Sequence, residues 1–239
     1  MAKKQDLRKQ RAGTVINITS KRQEHALSRA LIRVCEKLQL KFPGIKLIHE
    51  SQWRLPTIIA DLKKSFPDVD FHCFHSSSSM RPDGGILSLV SNDGEAYPIL
   101  IAEKKNQGTN DLREIEGKLK QAKGNAIERL GKNVIGFRAA LLMESIFPFV
   151  CFGDGCDFAD DSSILDRVVT IAMFGNLNKE HLYNQGPHGI FNRGSFYFRA
   201  KEWTEEEMLR LCYSIAESSV FYYYSKYKEE VFVASNINK

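Results

Sequence analysis

Two carboxylates and a lysine near the middle of the chain have the types and spacing of a site that hydrolyses phosphodiesters. Residues 86–90 and 97–103 are apolar segments joined through the sequence SNDG, which is a β-hairpin signal. With the turn centred on Asp93, Asp83 lies ten residues before the centre and Glu103 ten residues after it. Residues equidistant from the turn of an antiparallel pair face each other, so we expect these two carboxylates to be close.

The alternation of side chains along the second strand adds a cation to this pair. Glu103 and Lys105 are two residues apart, so they share one face of the strand, and Lys104 points away from it. Ile99 and Ile101 are expected to continue the Glu103 face inward, which would hold the acids at the edge of a core.

This set of residues supports metal-assisted hydrolysis. The carboxylates of Asp83 and Glu103 can hold a hard cation such as Mg2+, which in proteins uses one or two carboxylates together with phosphate oxygens. The metal lowers the pKa of a bound water and neutralises charge on the scissile phosphate. Lys105 can orient the attacking water and help it lose its proton, or stabilise developing charge. The alternative is that Asp83 belongs only to a Pro-Asp-Gly-Gly turn, and that Glu103 and Lys105 are a solvated strand end.

The elements around this segment predict a single α/β domain, a mixed β-sheet flanked by helices. Helical periodicity or capping signals predict helices at 24–41, 57–65, 111–132 (interrupted near 123–124), 137–145 and 204–226. Short apolar runs predict strands at 71–74, 147–153 and 168–174, and residues 176–195 read as a long loop. We expect residues 1–20 to be a flexible basic arm and residues 21–239 to form the domain.

The bulk composition is that of an intracellular protein. The 239 residues carry a net charge of +5, with basic residues crowded into the first dozen, where they could track phosphates or form a solvated tail. No apolar run approaches the roughly 20 residues that span a bilayer, and the N-terminus lacks a signal sequence. Five cysteines without a CxxC pair favour free thiols in a reducing compartment. We therefore expect a soluble, cytoplasmic protein without membrane contact.

Three sequence blocks resemble the signatures of the EcoRI-type restriction endonucleases, in the order of that family. They are SSMRPDGGI at 78–86, AEKKNQG at 102–108 and GNAIER at 124–129. The resemblance extends from about residue 27 to about residue 158 and implies the restriction-endonuclease-like PD-(D/E)xK core. It also implies that Asp83 and Glu103 bind Mg2+ and that Lys105 completes the catalytic site. The best-known member has alanine in place of Lys104, a departure expected to leave cleavage intact because this residue faces away.

The block at 124–129 resembles the base-reading segment of the family, at the start of a helix that points into the major groove. Asn125 can bond adenine N6 and N7, and Arg129 can donate to purine N7 or O6. Ala126 leaves room for close approach, and Glu128 can position Arg129 or accept from a base amino group. The alternative is a solvated helix start. The predicted DNA contacts of this region are Lys123, Gly124, Asn125, Ala126, Glu128 and Arg129.

Two other places are candidates for DNA contacts. Ser78, Ser79 and Arg81 are expected to touch phosphates, as the equivalent family stretch does, although a plain polar loop fits them equally. Arg193 is a candidate for one of the later specificity arginines of the family. The aromatic run at 221–224 lies on a predicted helix and favours core or dimer surface over a base-stacking platform.

The resemblance implies a palindromic target in double-stranded DNA with an AATT core. The residues LKQAK at 119–123 depart from the best-known member just upstream of the base-reading block, which leaves the outer bases open. A palindrome implies two-fold symmetry, so we expect a homodimer in which each active site cuts one strand and leaves short 5′ overhangs. The cognate DNA methyltransferase is expected to act on the same site without a stable complex.

Two other functions fit the same residues. One is a repair or mobile-element nuclease with the same core and looser specificity, which would give smears or nicks where a restriction enzyme gives discrete fragments. The other is a non-catalytic DNA-binding regulator, which has no need of two acids beside a phosphate.

Overall fold

A five-stranded mixed sheet forms the centre of the molecule, as a computed structural model shows for residues 13–106, 125–155, 158–159, 163–166, 177–186 and 189–233. The helices are α1 (Gly13–Lys41), α2 (Leu55–Ser65), α3 (Asn125–Ala140), α4 (Ser163–Asp166) and α5 (Glu205–Tyr227), with 3-10 turns at Gly189–Phe191 and Glu229–Val231. The strands are β1 (Lys46–Glu50), β2 (Trp53–Arg54), β3 (Ser79–Met80), β4 (Gly85–Val90), β5 (Ala96–Asn106), β6 (Phe149–Asp154) and β7 (Ser195–Arg199).

The strand order explains why β5 is central to the fold. The sheet runs β1-β4-β5-β6-β7; the pairs β1–β4 and β4–β5 are antiparallel, and the pairs β5–β6 and β6–β7 are parallel. β2 and β3 form a separate two-stranded ribbon. β5 therefore joins the antiparallel half of the sheet to the parallel half, and its side chains face a core on both sides.

Helices cover both faces of the sheet, which confirms the predicted α/β architecture. On one face α1 and α5 pack together and bury a continuous core, to which Leu31, Val34 and Cys212 contribute. On the other face α3 buries Leu130, Val134 and Phe137 against the sheet. Each helix thus hides one apolar stripe, as amphipathic helices on a sheet do.

The hairpin β4–β5 is confirmed, but its register differs from the prediction by one residue. Val90 pairs with Ala96 around a turn centred on Asp93, whereas Ile86 pairs with Ile101, so an extra residue lies on β5. Both Ile99 and Leu100 consequently point into the core beneath α1 and α5. The expectation that Ile99 shares the face of Glu103 is wrong, because the β-bulge places it on the opposite face.

Two predicted elements are wrong in their type or bounds. Residues 71–74 form no strand, since they find no partner strand to complete a ladder, and the Phe74 side chain is 83% exposed. The helix predicted at 137–145 coincides only with the last turn of α3, which ends at Ala140. Its buried residues, from Leu130 to Leu141, recur at helical spacing and continue the stripe upstream of 137.

The remaining elements follow the sequence more closely. Strand β6 and helices α2 and α5 lie where they were predicted, and α1 begins at Gly13, before the predicted start at residue 24. Tyr223, in the aromatic run, is fully buried in the core, as predicted. The strand predicted at 168–174 and residues 111–124 lie outside the described residues.

Four cysteines among the described residues are free thiols: Cys35, Cys73, Cys151 and Cys212. Burial raises the pKa of the Cys151 and Cys212 thiols. Within the ranges given above, no helix combines the length and the apolar character that crossing a bilayer requires.

The predicted capping box at the start of α5 makes a testable contribution to stability. Thr204 accepts from the Glu207 amide at 3.3 Å, and Glu207 accepts from the Thr204 amide at 2.9 Å. Arg199 binds both oxygens of the Glu207 carboxylate, at 2.8 and 2.6 Å, and this contact chiefly lowers the pKa of Glu207 to about 2. A group whose pKa is lower in the folded state stabilises it above the unfolded pKa and stops doing so as the pH falls through the folded value.

We expect Glu207→Gln to lower the free energy of unfolding by about 1–2 kcal/mol at pH 7, a value reduced for the partial exposure of this ion pair. The difference in free energy of unfolding between the variant and the wild type should be the same at pH 5 and shrink as the pH falls from about 4.5 towards 2. Urea denaturation across this range measures it. Glu206→Gln is the control, since that side chain is 68% exposed. A deficit that stays constant down to pH 3 would contradict the assignment.

Candidate active site

The side chains of Asp83, Glu103 and Lys105 converge at the end of β5, as the spacing predicts. Lys105 Nζ donates to Asp83 Oδ2 at 2.9 Å and forms an ion pair with Glu103 Oε1. The Asp83 amide donates to Glu103 Oε2 at 3.1 Å. One ammonium therefore bridges two carboxylates that come from the two arms of the hairpin.

The bulge determines how Asp83 approaches β5. The Gly84 amide donates to the Ala102 carbonyl at 2.9 Å, and the Lys104 amide donates to Asp83 Oδ2 at 3.2 Å. Asp83 thus lies beside the backbone of Lys104 instead of directly opposite Glu103. The predicted proximity of the acids is correct although the predicted register is shifted.

A tight turn before β4 aims Asp83 at β5. The Gly85 amide donates to the Pro82 carbonyl at 3.1 Å, and Gly85 has a φ of +83°. A Cβ at Gly85 would lie 2.6 Å from the Glu50 carbonyl oxygen, so only glycine fits this position. His49 Nε2 hydrogen-bonds the Gly84 carbonyl at 2.8 Å and braces the same turn, which agrees with a structural role for this histidine.

The three side chains differ in how much of their surface is exposed to solvent. The Glu103 side chain is 1% exposed, that of Lys105 17% and that of Asp83 28%. Burial raises the pKa of Glu103; the Asp83 carboxylate adds to the rise and Lys105 opposes it. Burial alone would lower the pKa of Lys105, but Glu103 and Asp83 outweigh it and raise the pKa above its ordinary value. The two carboxylates therefore favour the ammonium form of Lys105, a donor that can orient water or stabilise charge.

The donor set fits a hard divalent cation. Asp83 and Glu103 offer carboxylate oxygens, and Asp83 Oδ1 makes no hydrogen bond to any residue that the structure describes. The described ranges hold no group of three or more Asp, Glu, His or Cys side chains close enough to enclose a metal. Two carboxylates at a solvent-accessible edge match the way Mg2+ is held, with water and phosphate oxygens completing its shell.

Sequence reasoning missed a third contact to the buried acid. Asn133, on α3, donates from Nδ2 to Glu103 Oε1 at 3.1 Å. Asn133 lies next to the buried stripe of Leu130, Val134 and Phe137, so it faces the sheet close to Glu103. The signal in the sequence was an amide at the border of an apolar helical stripe, which identifies no partner by itself.

We expect Asn133→Ala to lower the cleavage rate about 10-fold or more, because a hydrogen bond to a charged group contributes about 1.5–3 kcal/mol and here orients a carboxylate. Single-turnover cleavage of a duplex measures this effect. Asn92→Ala is the matched control. Asn92 lies in the hairpin turn at the other end of β5, where its side-chain amide donates a hydrogen bond to the Glu230 carbonyl. Equal rates for the two variants would contradict a role for Asn133 at the site.

The residues predicted to contact phosphates lie just ahead of Asp83. Ser79, in β3, donates to Gln52 Oε1 at 3.1 Å and accepts from Arg81 Nε at 3.2 Å. The Ser78 backbone is bonded to His75 and Leu55. Arg81 is exposed, so this segment presents one cation and two hydroxyls beside the acids.

The structure does not bring Arg193 to the acids. Glu103 is level with Cys151 on β6 and Phe196 on β7, so Arg193 lies three residues before that level and two strands away. Its guanidinium donates to the Ile190 and Asn192 carbonyls at 3.0 and 3.1 Å. Of the base-reading block, Lys123 and Gly124 lie outside the described residues. Asn125, Ala126, Glu128 and Arg129 fall in the first turns of α3, where the side chains are not described.

The comparisons with known proteins agree with this geometry. The sequence model of the family described as "Restriction endonuclease EcoRI" matches residues 9–165. Over 234 residues the chain is 30% identical to "Type II restriction enzyme RsrI" of Cereibacter sphaeroides, with coverage of 83% of this chain and 84% of the relative. Over 222 residues it is 29% identical to "Type II restriction enzyme EcoRI" of Escherichia coli, with coverage of 78% and 80%.

The family match includes the whole hairpin on which Asp83, Glu103 and Lys105 converge, and it extends over about two thirds of the sequence. The chain belongs to the EcoRI family of restriction endonucleases.

Proposed function

We propose that this protein is a Mg2+-dependent type II restriction endonuclease that cleaves double-stranded DNA at a short palindrome with an AATT core. The observation that carries the proposal is the bridge from Lys105 to both Asp83 and Glu103 at the accessible end of β5. Two carboxylates and a fixed ammonium beside an open edge are the groups that metal-assisted phosphodiester hydrolysis requires.

The three side chains have separate roles in this proposal. Asp83 and Glu103 would hold Mg2+, which would supply a more acidic water and neutralise charge on the phosphate. Lys105 donates hydrogen bonds to the attacking water or to a phosphate oxygen, which orients the water and stabilises negative charge that develops on the phosphate. The buried Glu103, fixed by Asn133 and the Asp83 amide, keeps its place on β5, while the more exposed Asp83 faces the incoming backbone.

The position of α3 supports a base-reading role for its first residues. Asn133 touches Glu103, and Asn125 begins the same helix eight residues earlier, about 12 Å along the axis. A duplex whose phosphate reaches the acids would have its bases within a similar distance. The block that begins with Asn125 is therefore in range of the major groove on the same DNA.

We expect Asn125→Ala to weaken binding to the cognate site by about 1–3 kcal/mol, which is roughly 5- to 150-fold, through loss of a bidentate contact to adenine. Binding to a scrambled duplex should change little, because phosphate contacts carry nonspecific affinity. Fluorescence anisotropy at one salt concentration, without divalent metal, measures both affinities. An equal loss on the two duplexes would show that Asn125 touches the backbone or the fold instead of a base.

A palindromic target requires a two-fold symmetric enzyme, so we propose a homodimer in which each protomer cuts one strand. Cuts staggered to the 5′ side of the core would leave 5′ overhangs. The cognate methyltransferase would protect the same sequence without binding this protein stably.

Incubation of plasmid DNA with the protein and Mg2+, followed by sequencing of the fragment ends, tests the proposal. Discrete fragments whose ends share one palindrome support a restriction enzyme. Smears or random nicks would point to a nuclease of looser specificity. Binding without cleavage at any Mg2+ concentration would point to a DNA-binding regulator.

A further inference from the structure

Lys104 lies on the face of β5 opposite Glu103 and Lys105, yet its backbone is part of the active site. Its amide donates to Asp83 Oδ2 at 3.2 Å, and its carbonyl accepts from Lys105 Nζ at 3.1 Å. The position of this one peptide segment therefore fixes both the acid and the ammonium that lie on the other side of the strand.

The ladder holds this part of β5 along one edge only. The last pair with β4 is Gly85 with Ala102, so residues 103–106 extend beyond β4 and are paired only with β6. On the β4 side the contacts of this extension are those of the catalytic groups themselves, such as the Asp83 amide to Glu103. Among the described residues, no strand pairs with residues 103–106 on this side to fix their position.

A buried ion pair on the opposite face of β5 holds the same segment in place. The Lys104 ammonium pairs with Asp154 Oδ2 at the end of β6, and the two side chains are 2% and 1% exposed. Asp154 also accepts from Asn106 Nδ2 at 2.6 Å and from the Trp203 amide at 3.4 Å. The carboxylate thus ties two residues of the extension, Lys104 and Asn106, to the segment that leads into α5.

We propose that the Lys104–Asp154 pair is a positioning device for the active site, which sets the strand end so that the Lys104 backbone holds Asp83 and Lys105 in place. This inference rests on the proposed function and names residues that act through others. It departs from the expectation that Lys104 is indifferent to cleavage because its side chain points away.

The test is the double variant Lys104→Met with Asp154→Asn. It removes both charges together, so no buried charge is left unpaired, and the amide oxygen at 154 remains an acceptor for Asn106 while the Trp203 amide loses its contact at 3.4 Å. Val220→Ala is the control, since it weakens the fully buried core between α1 and α5 away from the site. All assays are run at a temperature at which circular dichroism shows each variant folded.

We expect the double variant to cleave about 10-fold or more slowly in single turnover with saturating Mg2+, the size of effect seen for supporting residues around metal sites. Its Kd for the cognate duplex in EDTA should stay within about twofold of the wild-type value. Val220→Ala should keep the wild-type cleavage rate. A double variant that cleaves as fast as the wild type, or whose affinity falls as much as its rate, would overturn the proposal.

Hydrogen exchange without DNA or metal gives an independent readout. Peptides covering residues 103–106 should exchange faster in the double variant than in the wild type and in Val220→Ala, and unchanged exchange would overturn the inference. A wild-type chain that cleaves no DNA would instead be a failure of the proposed function, so the two failures are distinguishable.

Discussion

Replacing Asp83 with asparagine is expected to reduce DNA cleavage by about 10²–10³-fold, which is the typical cost of removing one group that stabilises charge at a reacting centre. The substitution keeps the shape of the side chain but removes the charge that pairs with Lys105 and that we propose to hold Mg2+. Affinity for the cognate duplex should be unchanged or slightly higher, because one negative charge near the phosphate is lost. Single-turnover cleavage and anisotropy measure the two effects.

Asp93→Asn is the matched control for this substitution. This variant makes the same chemical change in the turn at the far end of the hairpin, where the Asp93 carboxylate accepts a hydrogen bond from the Ser91 hydroxyl. That variant should cleave at the wild-type rate. Cleavage by Asp83→Asn within about tenfold of the wild-type rate would show that the catalytic acid has been misassigned.

Replacing Asp154 with alanine is expected to lower the free energy of unfolding by about 3–5 kcal/mol, because it leaves the Lys104 ammonium buried without its partner. Burial already lowers the pKa of Lys104 against the opposing effect of Asp154. The Asn106 amide and the Trp203 backbone also lose their acceptor. For a chain of this size the midpoint of thermal unfolding should fall by about 10 °C.

Urea denaturation at pH 7 checks this value. Asp68→Ala is the control, since Asp68 is exposed in the turn after α2, and such surface changes stay within about 0.5 kcal/mol. A loss below about 1 kcal/mol for Asp154→Ala would mean that the buried pair contributes no more than an exposed one.

Local signals made much of this fold predictable. The sequence SNDG between two apolar runs gave the hairpin, and Thr204 followed three residues later by Glu207 gave the start of α5. The convergence of Asp83, Glu103 and Lys105 followed from the period of a strand and the position of one turn. These features depend on residues near in sequence, which is why composition and spacing identify them.

The register error had a local cause that the spacing argument overlooked. Pro98 pairs with Ser88 next to the irregularity, and a proline has no amide to donate to the ladder. An interruption at this position is therefore expected, and the packing of Ile99 and Leu100 into one core favours a bulge there. The proline was visible in the sequence; the packing that resolves the interruption was not.

Contacts between elements far apart in the chain could not be predicted from the sequence. Asn133 reaches Glu103 from another element, and Lys104 meets Asp154 across fifty residues. Nothing near either residue in sequence identifies its partner, since the parallel pairing of β5 with β6 and the docking of α3 create both contacts. The strand predicted at residues 71–74 is absent for a related reason, since strand propensity alone forms no strand when no neighbouring strand pairs with it.

Anomalous diffraction from crystals of the protein with cognate DNA and Mn2+ in place of Mg2+ would locate the metal and the side chains that bind it. We expect an anomalous peak bound by carboxylate oxygens of both Asp83 and Glu103 beside one backbone phosphate, with Lys105 Nζ adjacent. A metal held by other side chains, or a scissile phosphate away from these three residues, would contradict it.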